Sequence, residues 1–170
     1  MFVVEAGLAL SKVILVFIDL TEIYLRYLNL DDDGAEALAN ALKESAPSLE
    51  ILDMVDITAK VVVFVASSKS SKQFFSKLNL SDNKLKDEGA VLIIKALEEG
   101  HGQLNEVDLS TNLITWSGAK VVAGVVVQKH GFKLLSINAN FISEEGIDEL
   151  KNIFKKSPDL LGPLDENDPE

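Results

Sequence analysis

The chain has 170 residues, 47% of them apolar, a formal net charge of −11 and no cysteine. That length allows one continuous core with a short tail, and the acidic balance excludes nucleic acid or an anionic membrane as main partner, since both demand basic surface. Without cysteine there is neither a disulfide framework nor the cysteine-rich cap of a secreted repeat protein, which points to the cytosol or nucleus.

One pattern recurs along nearly the whole chain: Leu-x-x-Leu-x-Leu, then Ser-x-Asn, then a glycine nine residues after the last leucine. Its clearest copies are Leu78–Asn83 with Gly89, Val107–Asn112 with Gly118, and Leu135–Asn140 with Gly146, the glycines lying 29 and then 28 residues apart. This is a leucine-rich repeat of the long, helix-bearing type. The predicted fold is an α/β horseshoe, a ribonuclease-inhibitor-like solenoid with parallel strands on its concave side and helices on its convex side. Each unit buries its apolar face only against its neighbours.

In chain order, residues 1–7 fit the loop and helix of a repeat with no strand before it. Leu8, Val13, Leu15 and Phe17 of that first helix are expected to be exposed, as in the C-terminal part of a longer horseshoe. The apolar stretch 13–18 is far too short to span a bilayer, and Glu5 stands where a signal peptide would carry positive charge. Ile23-Tyr24-Leu25 with Gly34 forms the next strand, and residues 33–45 the next helix, through Ala37, Leu38, Ala41 and Leu42. Leu49–Met54 opens a shortened copy, in which Val55-Asp56-Ile57 lacks the asparagine and Leu52 precedes Leu78 by only 26 residues. Residues 58–70 and 118–127 are valine-rich, which lowers helix propensity by a few tenths of a kcal/mol per residue, roughly. The repeat phase still predicts helices there. Between them, Leu92, Ile93, Ala96 and Leu97 are spaced as one buried helical face. The repeats thus occupy 1–157 in about six units, the first without its strand, and 158–170 reads as the start of an acidic disordered tail carrying Asp165, Glu166 and Asp168.

The residues that invite chemistry have structural readings beside them. Asn83, Asn112 and Asn140 recur in phase, so they are expected to satisfy backbone groups of the turns rather than to position a water. Asp31-Asp32-Asp33, Asp87-Glu88 and Glu144-Glu145 precede the glycines, where negative charge complements a helix N-terminus, although once per repeat they also stack into an acidic stripe able to steer a basic partner. His101 and His130 are 29 residues apart in equivalent positions, but no third ligand accompanies them. Arg26, the only arginine, lies just past a strand with no loop to present it as a finger. Ser67–Ser71 reads as a solvated connector, open to phosphorylation. No nucleophile–base pair, phosphate-binding glycine loop or metal cluster is present in the sequence, so neither catalysis nor a cofactor is expected. The concave face is the expected binding surface, with the column Tyr24, Asp53, Asn79, Asp108 and Ser136 flanked by Arg26, Val55, Ser81, Ser110 and Asn138. That face is polar and, apart from Tyr24, has little aromatic anchoring.

With the repeats in register, the chain resembles the C-terminal part of the leucine-rich repeat domain of plant-type Ran GTPase-activating proteins. The resemblance is carried by Leu78–Gly89 (LNLSDNKLKDEG), Leu97–Asn112 (LEEGHGQLNEVDLSTN), Phe141–Leu150 (FISEEGIDEL) and Leu164–Pro169 (LDENDP), where variable positions agree as well as leucines. It implies a part in accelerating GTP hydrolysis by the small GTPase Ran at the cytoplasmic side of the nuclear envelope, in support of nucleocytoplasmic transport. The family is understood to orient Ran's own glutamine with polar residues of its N-terminal repeats, and its acidic tail is thought to assist Ran binding. In plants a separate N-terminal domain directs the protein to the nuclear envelope. No residue of this chain matches the family's catalytic asparagine or that targeting domain, and Thr115-Trp116 stands where relatives tend to carry basic residues. The implied role is therefore an enzyme regulator's scaffold, inactive alone. The other reading is a general leucine-rich repeat module that binds a protein on its concave face without any GTPase role.

Overall fold

A computed structural model describes residues 2–17, 19–28, 30, 32–45, 48–57, 76–100 and 103–169. Five strands, β1 (Glu22–Arg26), β2 (Ile51–Val55), β3 (Lys77–Asn79), β4 (Glu106–Asp108) and β5 (Leu134–Ser136), form one parallel sheet in chain order. The described helices are α1 (Phe2–Val16), α2 (Asp32–Ser45), α3 (Lys86–Gly100), α4 (Trp116–Val126) and α5 (Glu144–Ile153), and α1 packs on α2, α3 on α4 and α4 on α5. Parallel neighbours require a crossover between consecutive strands, and α2 supplies it between β1 and β2, α3 between β3 and β4, and α4 between β4 and β5. The predicted helix over 58–70, the Ser67–Ser71 connector, Asp31 and His101 lie outside the described residues.

The repeat leucines build the core in two columns. Ile23, Leu52, Leu78, Val107 and Leu135 are direct register partners, and Leu25, Met54, Leu80, Leu109 and Ile137 lie two residues further along, all of them buried. Alternation with period 2 sends these inward and the residues between them onto the concave face. From the convex side Leu38, Leu42, Ile93, Val122, Val126 and Leu150 close the core. The valine-rich α4 is helical because Val122 and Val126 are fully buried, each gaining about 1.5–3 kcal/mol, which outweighs the propensity cost. One helical face differs from expectation. In α3 the buried set is Ala90, Ile93 and Ile94, while Leu92 is exposed and Ala96 half-buried, because a glycine-led first turn directs the next position and its i+3 and i+4 neighbours inward.

Glycines set how closely helices approach. A Cβ on Gly7 would lie 2.5 Å from the Cα of Gly34, so α1 and α2 touch backbone to backbone. Each turn after a strand holds a residue at positive φ, namely Tyr27, Asp56, Asp82, Thr111 and Ala139, and Lys84, Lys86 and Leu113 further along share that conformation. For the β-branched Thr111, at φ 57°, this conformation is strained. Thr111→Asn is accordingly expected to raise stability by roughly 0.5–1 kcal/mol, checked by urea denaturation, since asparagine tolerates that region.

The assignment of 158–170 to a disordered tail is corrected by the structure. Residues Pro158–Leu160 form a 3-10 turn, Leu161 makes a parallel bridge to Leu135, and Gly162 N–H donates to the Leu135 carbonyl at 2.9 Å. Leu164 is buried, and Asn167 and Asp168 hydrogen-bond back to Asn140. The segment is the strand-and-turn half of a further repeat. Composition suggested disorder, but burial of Leu164 and satisfaction of buried backbone groups favour order.

Candidate functional site

Parallel register turns the predicted concave column into a physical one. Tyr24 pairs with Asp53, Asp53 with Asn79, Asn79 with Asp108 and Asp108 with Ser136. Beside it runs a second column, Glu22, Ile51, Lys77, Glu106 and Leu134. Apart from Glu22, the two columns line a trough of about 300 Å³ that reaches from Tyr24 to Ser136.

Its first end is tied together by charge. Asp53 is buried, and both its oxygens accept hydrogen bonds from Arg26, through Nε at 2.9 Å and through Nη2, while Asn79 Nδ2 donates to Oδ2 at 3.1 Å. A buried carboxylate is costly unless it is paired in this way. The hydrogen bonds and charge of Asp53 push the Arg26 pKa up from its ordinary value, so the guanidinium stays charged. Arg26 also lies over the ring of Tyr24, 5.9 Å from its centroid, within cation–π range. The Tyr24 hydroxyl donates to Glu22 at 3.0 Å, and this bond raises the phenol's pKa. Glu22→Gln in a Tyr27→Phe background should bring the Tyr24 phenolate transition down toward the ordinary tyrosine range in an ultraviolet pH titration. A group raised in the fold contributes its stability below the unfolded pKa and loses it as pH climbs through the folded one, so the contribution is constant through neutral pH and its pH dependence is confined to alkaline pH.

Further along, Lys77 pairs with Glu106 at 2.8 Å, and that hydrogen bond and charge raise the lysine's pKa. Asn79 Oδ1 accepts from the Ser81 amide at 3.0 Å, and Asp108 Oδ1 from the Ser110 amide at 2.9 Å, so both side chains brace the ends of their strands. Asn138 is brought together with the C-terminal segment. Its Oδ1 accepts from the Glu166 amide at 3.0 Å, and its Nδ2 donates to Glu166 Oε2 at 3.3 Å. Ser136 is half-buried at the end of the trough, and Asp165 and Asp168 are exposed on the edge.

The three repeat asparagines lie inside the turns. Asn112 Oδ1 accepts from the Asn83 amide at 2.9 Å, and its Nδ2 donates to the Leu80 carbonyl at 2.8 Å and to Ser110 at 3.0 Å. Asn140 does the same for Asn112 and Ile114, and Asn83 for Ile57 and Met54. Asn167 adds a rung that the sequence reading missed, its Oδ1 accepting from the Asn140 amide at 3.0 Å. The signal was present, because Leu164-Asp165-Glu166-Asn167 repeats the Leu-x-x-Asn spacing of Leu80–Asn83. Asp87 is a further missed link. It accepts from the Thr115 amide at 2.7 Å and from its hydroxyl at 2.6 Å, and so ties α3 to the start of α4. His130 is exposed, and among the described residues no group of three metal-ligating side chains converges. Among the same residues no helix is long and apolar enough to cross a membrane.

The shape and the sequence both have relatives. Residues 71–93 match the family described as Leucine Rich repeat. RAN GTPase-activating protein 2 of Arabidopsis thaliana is 58% identical over 146 residues, covering 85% of this chain and 27% of that protein. RAN GTPase-activating protein 1 of the same plant is 59% identical over 148 residues, covering 86% of this chain and 28% of that protein. The chain therefore spans under a third of the length of these relatives. Among solved structures, one titled Leiomodin-1 Actin-Binding Site 2 (ABS2) superposes with a TM-score of 0.62 at 15% identity, covering 89% of this chain and 87% of that one, a likeness of fold alone. The chain has a leucine-rich repeat fold, one of its repeats matches that family, and over most of its length it is similar to these two plant RAN GTPase-activating proteins.

Proposed function

We propose that this chain is the binding scaffold of a GTPase activator for Ran, presenting the concave trough and its rim to the GTPase while leaving the chemistry to Ran. The observation that carries this reading is the 58–59% identity to two RAN GTPase-activating proteins over most of the chain. Identity at that level covers more positions than the repeat's leucines, asparagines and glycines alone supply.

The polar groups present support a regulator rather than a catalyst. A residue that orients a nucleophile needs a free donor or acceptor within hydrogen-bond reach of it. Asn83, Asn112 and Asn140 are buried, and their amides are spent on backbone groups. Arg26 is clamped on Asp53 instead of reaching outward. What the surface offers is recognition: Tyr24 and Arg26 at one end, Asn79, Asp108 and Ser136 along the column, and Asn138 with Glu166, Asp165 and Asp168 at the other end, while Asp53 lies buried beneath Arg26. A net charge of −11 steers a basic partner surface toward it. On this reading the chain works at the cytoplasmic face of the nuclear envelope, in nucleocytoplasmic transport.

The test is single-turnover GTP hydrolysis by purified Ran with and without a large excess of the chain, alongside direct binding. Binding that weakens with salt, without rate acceleration, is the expected result. Acceleration by several orders of magnitude would overturn the scaffold assignment and direct attention to Arg26. A folded sample that neither binds nor accelerates would leave the general leucine-rich repeat module, binding some other protein on its concave face.

A further inference from the structure

Charge is not evenly matched along the concave trough. Arg26 is held on Asp53, and Lys77 on Glu106 at 2.8 Å, so the cations of these columns each answer one acid. Asn79 is engaged as well, its Nδ2 on Asp53 and its Oδ1 on the Ser81 amide. Asp108 is the acid left over. Its Oδ1 accepts from the Ser110 amide at 2.9 Å, and among the described residues no lysine or arginine pairs with it. Ser136, its register partner on β5, is half-buried, and its hydroxyl makes no hydrogen bond among the described residues. Neighbouring strands lie about 4.8 Å apart, so Asp108 and Ser136 stand close enough to share one donor group. Leu134, two residues before Ser136 on the same face, is 36% exposed and lines the same trough. β4 has a strand on each side, and β5 carries the bridge to Leu161 on its far side, so this part of the face is framed by the sheet itself.

We propose that Asp108 and Ser136 form a receptor for one basic side chain, a lysine or arginine that the GTPase lowers into the trough. This inference rests on the reading of the trough as the Ran-binding face. Lysine and arginine heads carry donors only, which suits a carboxylate beside a hydroxyl that can accept. The head would lie between Asp108 and Ser136, and its methylene stem along Leu134, two residues of strand rise or roughly 6.6 Å away, a distance such a stem spans. Asp108 is the acid best placed to gain from a new cation. It is already partly out of water without a counter-charge, whereas Asp53 and Glu106 would first have to give up their own partners. An acidic side chain at the same place would be repelled, so the receptor sets the register of the partner as well as its affinity.

The experiment measures the affinity of the whole chain for purified Ran and repeats it with Asp108→Asn. Asparagine keeps an oxygen for the Ser110 amide, so circular dichroism and the urea midpoint should stay those of the parent chain. Affinity is expected to fall about tenfold, whereas Glu98→Gln, which removes the same unit of charge from an exposed site on α3, should change it by less than about twofold. Ser136→Ala, which leaves every charge in place, should weaken binding about threefold. Single alanine substitutions of the exposed lysines and arginines of Ran then identify the occupant. One of them should weaken binding to the parent chain about tenfold and leave binding to Asp108→Asn unchanged. Were Asp108→Asn to lose its fold, Ser136→Ala would carry the same cycle. Equal losses in Asp108→Asn and Glu98→Gln, or no Ran substitution coupled to the receptor, would overturn the receptor while leaving Ran as the partner. A folded chain that does not bind Ran at all would overturn both this inference and the reading it rests on.

Discussion

Asn112→Ala should be among the most damaging polar substitutions at the described residues, with an expected loss of about 3–4 kcal/mol. The side chain is fully buried and serves both neighbouring turns. Removing it strips the Asn83 amide of its acceptor at 2.9 Å, takes a longer bond at 3.4 Å from the Leu85 amide, and leaves the Ser110 and Leu80 carbonyls each short of a donor. An orphaned buried group costs about 1–3 kcal/mol, whereas a made hydrogen bond gains only about 1. The Leu80 carbonyl keeps a second donor from Asn83 Nδ2 at 3.0 Å, so the Asn83 amide dominates the cost. Asn167→Ala removes the same kind of rung at the half-buried end, where water can replace it, and should cost no more than about 1 kcal/mol. Urea denaturation of the pair decides the matter. Equal losses would overturn this ranking and mean that the ladder's value does not depend on burial.

The second large effect is expected at Gly7. A β-carbon there would stand 2.5 Å from the Gly34 Cα and 2.8 Å from its carbonyl carbon and oxygen, all of them backbone atoms that cannot rotate away. Gly7→Val must therefore drive α1 off α2, at a cost of roughly 2–3 kcal/mol from overpacking. Repeat solenoids are stabilised by neighbour interfaces, so the damage should stay local. Hydrogen exchange should show α1 losing protection while the amides of β3, β4 and β5 keep theirs. Uniform loss along the chain would show instead that the end helix is coupled to the whole molecule.

The concave column was legible because period 2 and the repeat length together fix both the face and the neighbour of each residue. Tyr24, Asp53, Asn79, Asp108 and Ser136 could be aligned without coordinates for that reason. How those residues are used was not legible. Asp53 reads as one more exposed acid, yet Arg26 and Asn79 fold over it and it is buried, a result of side-chain reach across strands that spacing does not encode. Asn138 reads as a free rim amide, and the structure couples it to Glu166. Leu92 reads as core, because a leucine four positions from Ala96 fits a helical stripe, but the rotation of α3 set by Gly89 turns it outward.

The amino-acid sequence by itself determined the solenoid: leucine spacing dictates which atoms leave water, in-phase asparagines dictate how the turns satisfy their backbone, and glycines dictate where helices begin and touch. These are local or strictly periodic requirements, so they survive in one dimension. For the acidic ending the sequence held only a short in-phase signal, Leu164 with Asn167, against a composition that reads as disordered, and the tertiary structure decided between them because Asn167 completes a ladder begun at Asn83, Asn112 and Asn140. Tertiary structure alone decided that Asp53 is sealed beneath Arg26 and that Asp87 reaches the start of α4, since both depend on which side chains stand alongside, and no residue carries that information in its own position.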